Sequence, residues 1–302
     1  MAWTRLRLTL DMIKFEHSIF ALPFALTGAL LAWRDLAQHR ASSTASSASA
    51  FPLNLIWIVA AMVCARSAAM GFNRIVDSSI DARNPRTRMR HLPAGLLSRG
   101  FAWGFVLAAS ALFAAAAGQL NRLCLELSPA ALAMLFLYSY TKRFTSLSHL
   151  VLGFCLGIAP AAAWIAVRGS LDARILWLTA AVTCWTAGFD IIYSCQDYEF
   201  DCGENLFSVP KRLGIAAALR VAQVFHLAMV VCLLALVRSL HLGLLALAGV
   251  AAIAGLLIYE HRLVKPNDLS KVNAAFFTMN GYVSMLFFVF WAADVFLLKS
   301  GI

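Results

Sequence analysis

An all-α integral membrane protein with nine transmembrane helices is the fold class this sequence predicts, on three observations. Of 302 residues, 61% are hydrophobic and 13% charged, against roughly 45–50% and about 25% in soluble domains. The mean hydropathy is +0.76 over the whole length, which leaves little chain for a separate aqueous domain. The 25 Lys and Arg outnumber the 15 Asp and Glu. In a membrane protein that excess belongs in cytoplasmic loops and needs no nucleic acid to explain it.

A spanning helix takes about 20 apolar residues. Runs of that size fall at 17–34, 52–72, 101–120, 123–140, 148–168, 174–193, 216–238, 240–259 and 275–298. The first follows an amphipathic stretch, Asp11 to His17, that lacks the pattern of a cleaved leader. Between the first and second spans, the Ala/Ser segment 41–50 is low in complexity and reads as a flexible loop. The fourth span contains Pro129, and the seventh and eighth are parted only near Ser239. Small-residue runs at 111–118 and 153–163 suit helix packing. Most aromatic residues suit lipid contact and interfacial belts. The seven Cys are scattered, with no C-x-x-C, and read as small apolar residues rather than metal ligands. Residues 1–302 thus read as one transmembrane domain. With the N-terminus inside, seventeen basic residues lie on cytoplasmic segments and seven outside, which predicts an N-in, C-out protein.

Acidic residues are scarce, yet seven of the fifteen fall in two windows, Asp77 to Asp81 and Asp190 to Glu204. In the first, Arg66, Asn73, Asp77 and Asp81 stand at offsets 0, 7, 11 and 15, which on an α-helix is one face. Two carboxylates one turn apart repel unless something cationic lies between them. The bland alternative is a solvated acidic face at a helix end. Asn and Arg on the same stripe, with Arg86, Arg88 and Arg90 following, favour a Mg²⁺ site, because Mg²⁺ bridges protein carboxylates to substrate phosphates. In the second window Asp190, Asp197 and Asp201 stand at offsets 0, 7 and 11, again one helical stripe. Asp190 falls at membrane depth, where an ionisable residue points to function; a structural salt bridge to Arg66 or Lys142 is the alternative. Two facing Asp pairs suit divalent ions and a diphosphate.

The constellation N73-x-x-x-D77-x-x-x-D81 with D197-x-x-x-D201, on the second and sixth of nine helices, resembles the UbiA superfamily of intramembrane aromatic prenyltransferases. The resemblance extends to IKFEHSIFALPFALTGALLAW, RNPRTRMRHLPAG, the Y138-SYT-K142 pattern, and the spacing from Asp201 to Ser208 and Gly214. It implies helices around a central cavity that opens to the cytoplasm and sideways to lipid, and transfer of a polyprenyl group from its diphosphate to an aromatic ring. It also implies Mg²⁺ at Asp77, Asp81, Asp197 and Asp201, with Asn73 as a further ligand to the Mg²⁺-diphosphate. Asp190 is the candidate to stabilise the allylic cation or take up the ring proton. Lys142, Arg66 and Tyr138 join it as catalytic candidates. Lys14, Arg86, Arg90, Tyr193 and Ser208 are candidates for substrate binding.

The acceptor expected is 4-hydroxybenzoate, prenylated ortho to its hydroxyl in ubiquinone or menaquinone synthesis, at a bacterial-type plasma membrane and without an obligate protein partner. Phe207 and Gly203 stand where ubiquinone-type members usually carry Lys, which keeps 1,4-dihydroxy-6-naphthoate as a second acceptor. The rival class is a cation-coupled transporter, which predicts carboxylates near the bilayer midplane and broken helices in related halves.

Overall fold

Twelve α-helices and short 3₁₀ and π turns make up the computed structural model, which describes residues 2–13, 20–40 and 51–297, with the side chains of 2–6 and 39–40 excepted. Lys14 and the 41–50 segment lie outside the described residues. The helices are α1 (Ala2–Met12), α2 (Leu22–Arg40), α3 (Phe51–Arg83), α4 (Arg99–Leu120), α5 (Arg122–Thr141), α6 (Ser148–Arg168), α7 (Leu176–Ser194), α8 (Tyr198–Gly203), α9 (Val209–Leu213), α10 (Ile215–Ser239), α11 (Leu244–Leu263) and α12 (Asn280–Leu297).

Among the described residues, eight helical segments are long and apolar enough to cross a membrane. The remaining expected span, 17–34, begins outside the described residues, and its described part lies in α2, which has 19 residues and carries Arg34 and Asp35 in its second half. All seven Cys are free thiols.

The chain divides into two compact units. The first comprises residues 1–18 and 56–140, and α3 dominates it. At 33 residues this helix is about 50 Å long against a hydrocarbon layer of about 30 Å, which leaves several turns for Asn73, Asp77 and Asp81. Phe72 and Ile75 pack on Ala102 and Val106 of α4 and on Phe136 of α5, and the Phe72 ring stacks on Phe136 at 4.4 Å. Asn121 alone joins α4 to α5: its amide closes α4 on Ala117 O at 3.4 Å, and its Oδ1 accepts from Cys124 N at 2.9 Å to open α5. Pro129 deprives the Leu125 carbonyl of its helical donor. The Ser128 hydroxyl donates to that carbonyl at 2.9 Å instead, so the helix continues.

The second unit comprises residues 19–55 and 141–302. Its core runs through Phe24, Trp164, Trp185, Phe287 and Trp291, all fully buried. Phe24 lies 4.9 Å from Trp185 and 4.6 Å from Phe287, measured between ring centroids. These aromatics correct the expectation of a belt role: they fill the inside of the unit, where large rings contribute most buried area. The small-residue run of α6 does what its composition predicts. At Gly153 a side chain would meet the Thr183 backbone of α7, and at Gly28 of α2 it would meet Pro160 of α6, so these helices approach backbone to backbone.

Two further acids in this unit have structural duties. Asp294 of α12 accepts from Gly243 N at 2.9 Å and Ala246 N at 3.1 Å, capping α11 from a neighbouring helix. Asp35 pairs with Arg168 and with Arg174, the latter at 3.0 Å. Arg174 also holds Asp172 at 2.5 Å.

Candidate active site

In the first unit the predicted stripe forms on α3, and the solvated-face alternative fails. Asp77 is 2% exposed and Asp81 3%. Asn73 Nδ2 donates to Asp77 Oδ2 at 3.0 Å and reaches Ser139 Oγ of α5 at 3.5 Å. Asp81 Oδ1 accepts from Arg90 Nη1 at 2.7 Å. Its Oδ2 is buried without a hydrogen-bond partner. Turns in the segment after α3 bring Arg90 back: Thr87 Oγ1 donates to the Asp81 carbonyl at 3.1 Å, and Asn84 Oδ1 accepts from Arg86 N at 2.9 Å. The Arg86 side chain is exposed, and those of Arg66 and Tyr138 are half-buried. Arg74, one of the seventeen basic residues assigned to cytoplasmic segments, is a buried part of α3 whose Nε donates to Met12 O at 3.2 Å.

In the second unit the helix that carries Asp190 is interrupted before the Asp197/Asp201 pair: α7 stops at Ser194, and a 3₁₀ turn, Cys195–Asp197, precedes α8. Each 3₁₀ residue turns the chain about 20° further than an α-helical one, which rotates Asp197 and Asp201 by about 60° from the α-helical register. Loop contacts organise the site instead. The Ser208 hydroxyl donates to Asp201 Oδ2 at 2.8 Å and accepts from Lys211 N at 3.3 Å as the N-cap of α9. Phe207 N donates to Lys142 O at 2.7 Å, and Lys211 Nζ donates to Glu204 O at 2.6 Å.

Within its own unit, Asp190 pairs with His149 rather than with Lys142. Its Oδ2 lies 2.7 Å from His149 Nδ1, and the other ring nitrogen of His149 accepts from Val209 N at 3.3 Å. The imidazole therefore links Asp190 to the residue following Ser208. Sequence reasoning missed His149 because its partners lie 41 and 60 positions away; its place in the first turn of α6, close behind Lys142, was the one available signal. Tyr193 packs its ring on Phe276 at 4.1 Å.

Each unit therefore carries one carboxylate pair with its own hydrogen-bonding side chains. Among the described residues, no three His, Cys, Asp or Glu side chains gather closely enough to hold a metal ion. An ion here would draw on Asn73, water and substrate oxygens as well, which is the manner of Mg²⁺.

The sequence profile of the UbiA prenyltransferase family matches residues 21–283. A Vibrio cholerae protein named 4-hydroxybenzoate octaprenyltransferase is 31% identical over 232 residues, 76% of this chain and 81% of its own length. A Shewanella loihica protein of the same name is 26% identical over 240 residues, 80% of this chain and 83% of its own. Among solved structures, the apo UbiA homologue from Aeropyrum pernix K1 superposes with a TM-score of 0.80 at 35% identity, covering 92% of this chain and 98% of that one. A UbiA homologue from Archaeoglobus fulgidus bound to DMAPP and Mg²⁺ shares the fold at 17% identity and a TM-score of 0.70, covering 96% and 99%. The match across both units and both carboxylate windows places this chain in the UbiA prenyltransferase family.

Proposed function

We propose that this membrane enzyme transfers a polyprenyl group from polyprenyl diphosphate to 4-hydroxybenzoate, at the ring carbon ortho to the hydroxyl, for respiratory quinone synthesis. The observation that carries the donor half is the buried pair Asp77 and Asp81 with its unpartnered Asp81 oxygen. The acceptor half is supported by the names of the curated relatives.

The residues present fit Mg²⁺. The donors Asp77, Asp81, Asp197, Asp201 and Asn73 are all oxygen-bearing, and one buried carboxylate oxygen lacks a partner. Bound there, the metal would neutralise the diphosphate so that it can leave. Arg90, Arg66, Lys142 and Lys14 supply positive charge for the departing oxygens and for the carboxylate of the acceptor. The allylic C–O bond breaks, its electron pair leaves with the diphosphate, and the electron-rich ring carbon supplies the pair for the new C–C bond. The ring proton then departs. Asp190, held by His149, stabilises the cation or takes up that proton, with Tyr138 as a further catalytic group and Tyr193, packed on Phe276, as a substrate contact. Ser208 fixes the Asp201 carboxylate. We place the site on the cytoplasmic side of the plasma membrane, with the N-terminus in and the C-terminus out, on the basic-residue asymmetry.

Phe207 favours a second acceptor. Its ring is 47% exposed, and the nearby Lys211 ammonium is committed to Glu204 O, so a cation common in ubiquinone-type members is missing. 1,4-dihydroxy-6-naphthoate is the corresponding alternative.

The test is incubation of purified protein with Mg²⁺, a polyprenyl diphosphate, and a panel of hydroxybenzoates and dihydroxynaphthoates, with products identified by mass. Prenylated 4-hydroxybenzoate is expected, with a steep loss for phenol, which lacks the carboxylate. Equal reaction of phenol and the acid overturns carboxylate recognition.

A further inference from the structure

A cavity of about 350 Å³ opens where α10 begins and α11 ends, lined by Leu219, Arg220, Gln223, His261, Val264 and Lys265, among others. None of these residues belongs to either carboxylate pair. α10 and α11 form an antiparallel hairpin, so this end of both helices lies at one membrane boundary.

The cavity has a one-sided chemistry. Among the described residues, Arg220 and Lys265 make no side-chain hydrogen bond and no ion pair within 4 Å, and Lys265 feels the exposed Asp268 carboxylate only at longer range. No acid lines the space, and the carboxylate of nearby Asp268 accepts from Ser270 N at 3.0 Å. His261 is held from behind: its Nε2 lies 2.9 Å from Nδ1 of His226, which is 2% exposed. That contact leaves His261 Nδ1 for a ligand, and Gln223 adds an amide donor. Two cations converging on a space floored by Leu219 and Val264 repel one another until an anion lies between them. Phosphate oxygens match that set of donors, since Arg binds them by its fork and Lys as a point charge.

We propose that this cavity is a second anion site, which holds a phosphate group at the membrane boundary, with the phosphodiester headgroup of an anionic membrane lipid as its occupant. Its size falls in the range of small-molecule sites, about 300–1,000 Å³. Its position, where two spanning helices end, is the depth of lipid headgroups, and basic pockets between helix ends recognise them. Soluble phosphate or diphosphate offers the same chemistry, and the experiment separates the two sources.

Wild type, Arg220→Gln/Lys265→Gln and a control, Arg262→Gln, are reconstituted in nanodiscs of phosphatidylcholine with or without phosphatidylglycerol. Lipid retained after extraction is counted by native mass spectrometry, and the melting temperature is read in each disc. Arg262 is exposed on α11 outside the cavity lining. Wild type and control are expected to retain phosphatidylglycerol about thirtyfold better than the double variant, and to melt higher with it. Inorganic phosphate or diphosphate added to phosphatidylcholine discs forms the other arm. Stabilisation there, lost in the double variant, keeps the anion site and reassigns its occupant to a soluble anion. Equal retention and equal melting in wild type and double variant under all conditions overturn the proposal.

Discussion

His149 donates its Nδ1–H to Asp190 across 2.7 Å, and the opposite nitrogen fixes that tautomer. Val209 N approaches Nε2 at 3.3 Å, and a backbone amide can only donate, so Nε2 offers its lone pair and the ring N–H is left for Asp190. The Asp190 carboxyl is thereby aimed from α6 by a single imidazole, whereas Asp35 is held by two arginines.

Replacing His149 by Leu should lower kcat about tenfold to a hundredfold, because a misaimed group costs on that order, while the KM for the prenyl diphosphate changes little. His149→Asn keeps an N–H near the Nδ1 position and should recover much of the loss. Steady-state kinetics on both variants check this, and equal activity of the Leu variant and wild type would remove Asp190 positioning from the mechanism.

Asp77→Asn and Asp201→Asn should each lose more than about 99% of turnover, as expected when a ligand to the ion that balances the diphosphate is removed. Both should fold, since an amide keeps the Asn73 and Ser208 contacts. Excess EDTA should silence the wild type, and fresh Mg²⁺ should restore it. Product mass measured alongside size-exclusion profiles is the readout.

Arg90 occupies one oxygen of Asp81 at 2.7 Å and so competes with any cation for that carboxylate. Arg90→Ala should lower the Mg²⁺ concentration for half-maximal binding by about threefold to fivefold, the scale of a partly exposed ion pair. Its turnover should fall, because the phosphate loses a cation. Calorimetric titration with Mg²⁺ and turnover assays separate the two effects.

Hydrogen bonds from Arg174 hold the Asp172 carboxyl down at about 2, below the value of about 3.9 for a free aspartate. A depressed carboxylate stabilises the fold above pH of about 4 and loses that contribution as the pH falls through about 2. Asp172→Asn should therefore cost about 1 kcal/mol at neutral pH after solvent screening, and flatten the melting temperature between pH 4 and pH 2. Thermal scans in detergent across that window test it.

The spans were legible in the sequence because a membrane demands long apolar runs with polar breaks: five of the nine expected segments, such as 148–168 and 216–238, lie within about two residues of an observed α-helix at both ends, and a sixth, 275–298, does so when the π turn Ala274–Met279 is counted with α12. The Asp77/Asp81 pair was legible because its members share one helix, so spacing alone fixes their geometry. The break between Asp190 and the Asp197/Asp201 pair was not legible, because nothing local marks the 3₁₀ turn at Cys195. His149 and Arg74 were not legible. What defines each is a partner distant along the chain, Asp190 for one and Met12 O for the other. The buried Trp164, Trp185 and Trp291 show the same limit, since an apolar ring suits lipid and core equally until the neighbours are known.

The single-residue joint at Asn121 bears on how the protein is made. With its backbone closing α4 and its side chain opening α5, no slack remains for one helix to thread the bilayer and wait for the other. α4 and α5 must enter the membrane as a preformed hairpin, so their joint insertion, rather than that of either helix alone, is the step a biogenesis assay should detect. A flexible insert at Asn121 would uncouple that step and strand the second helix during synthesis.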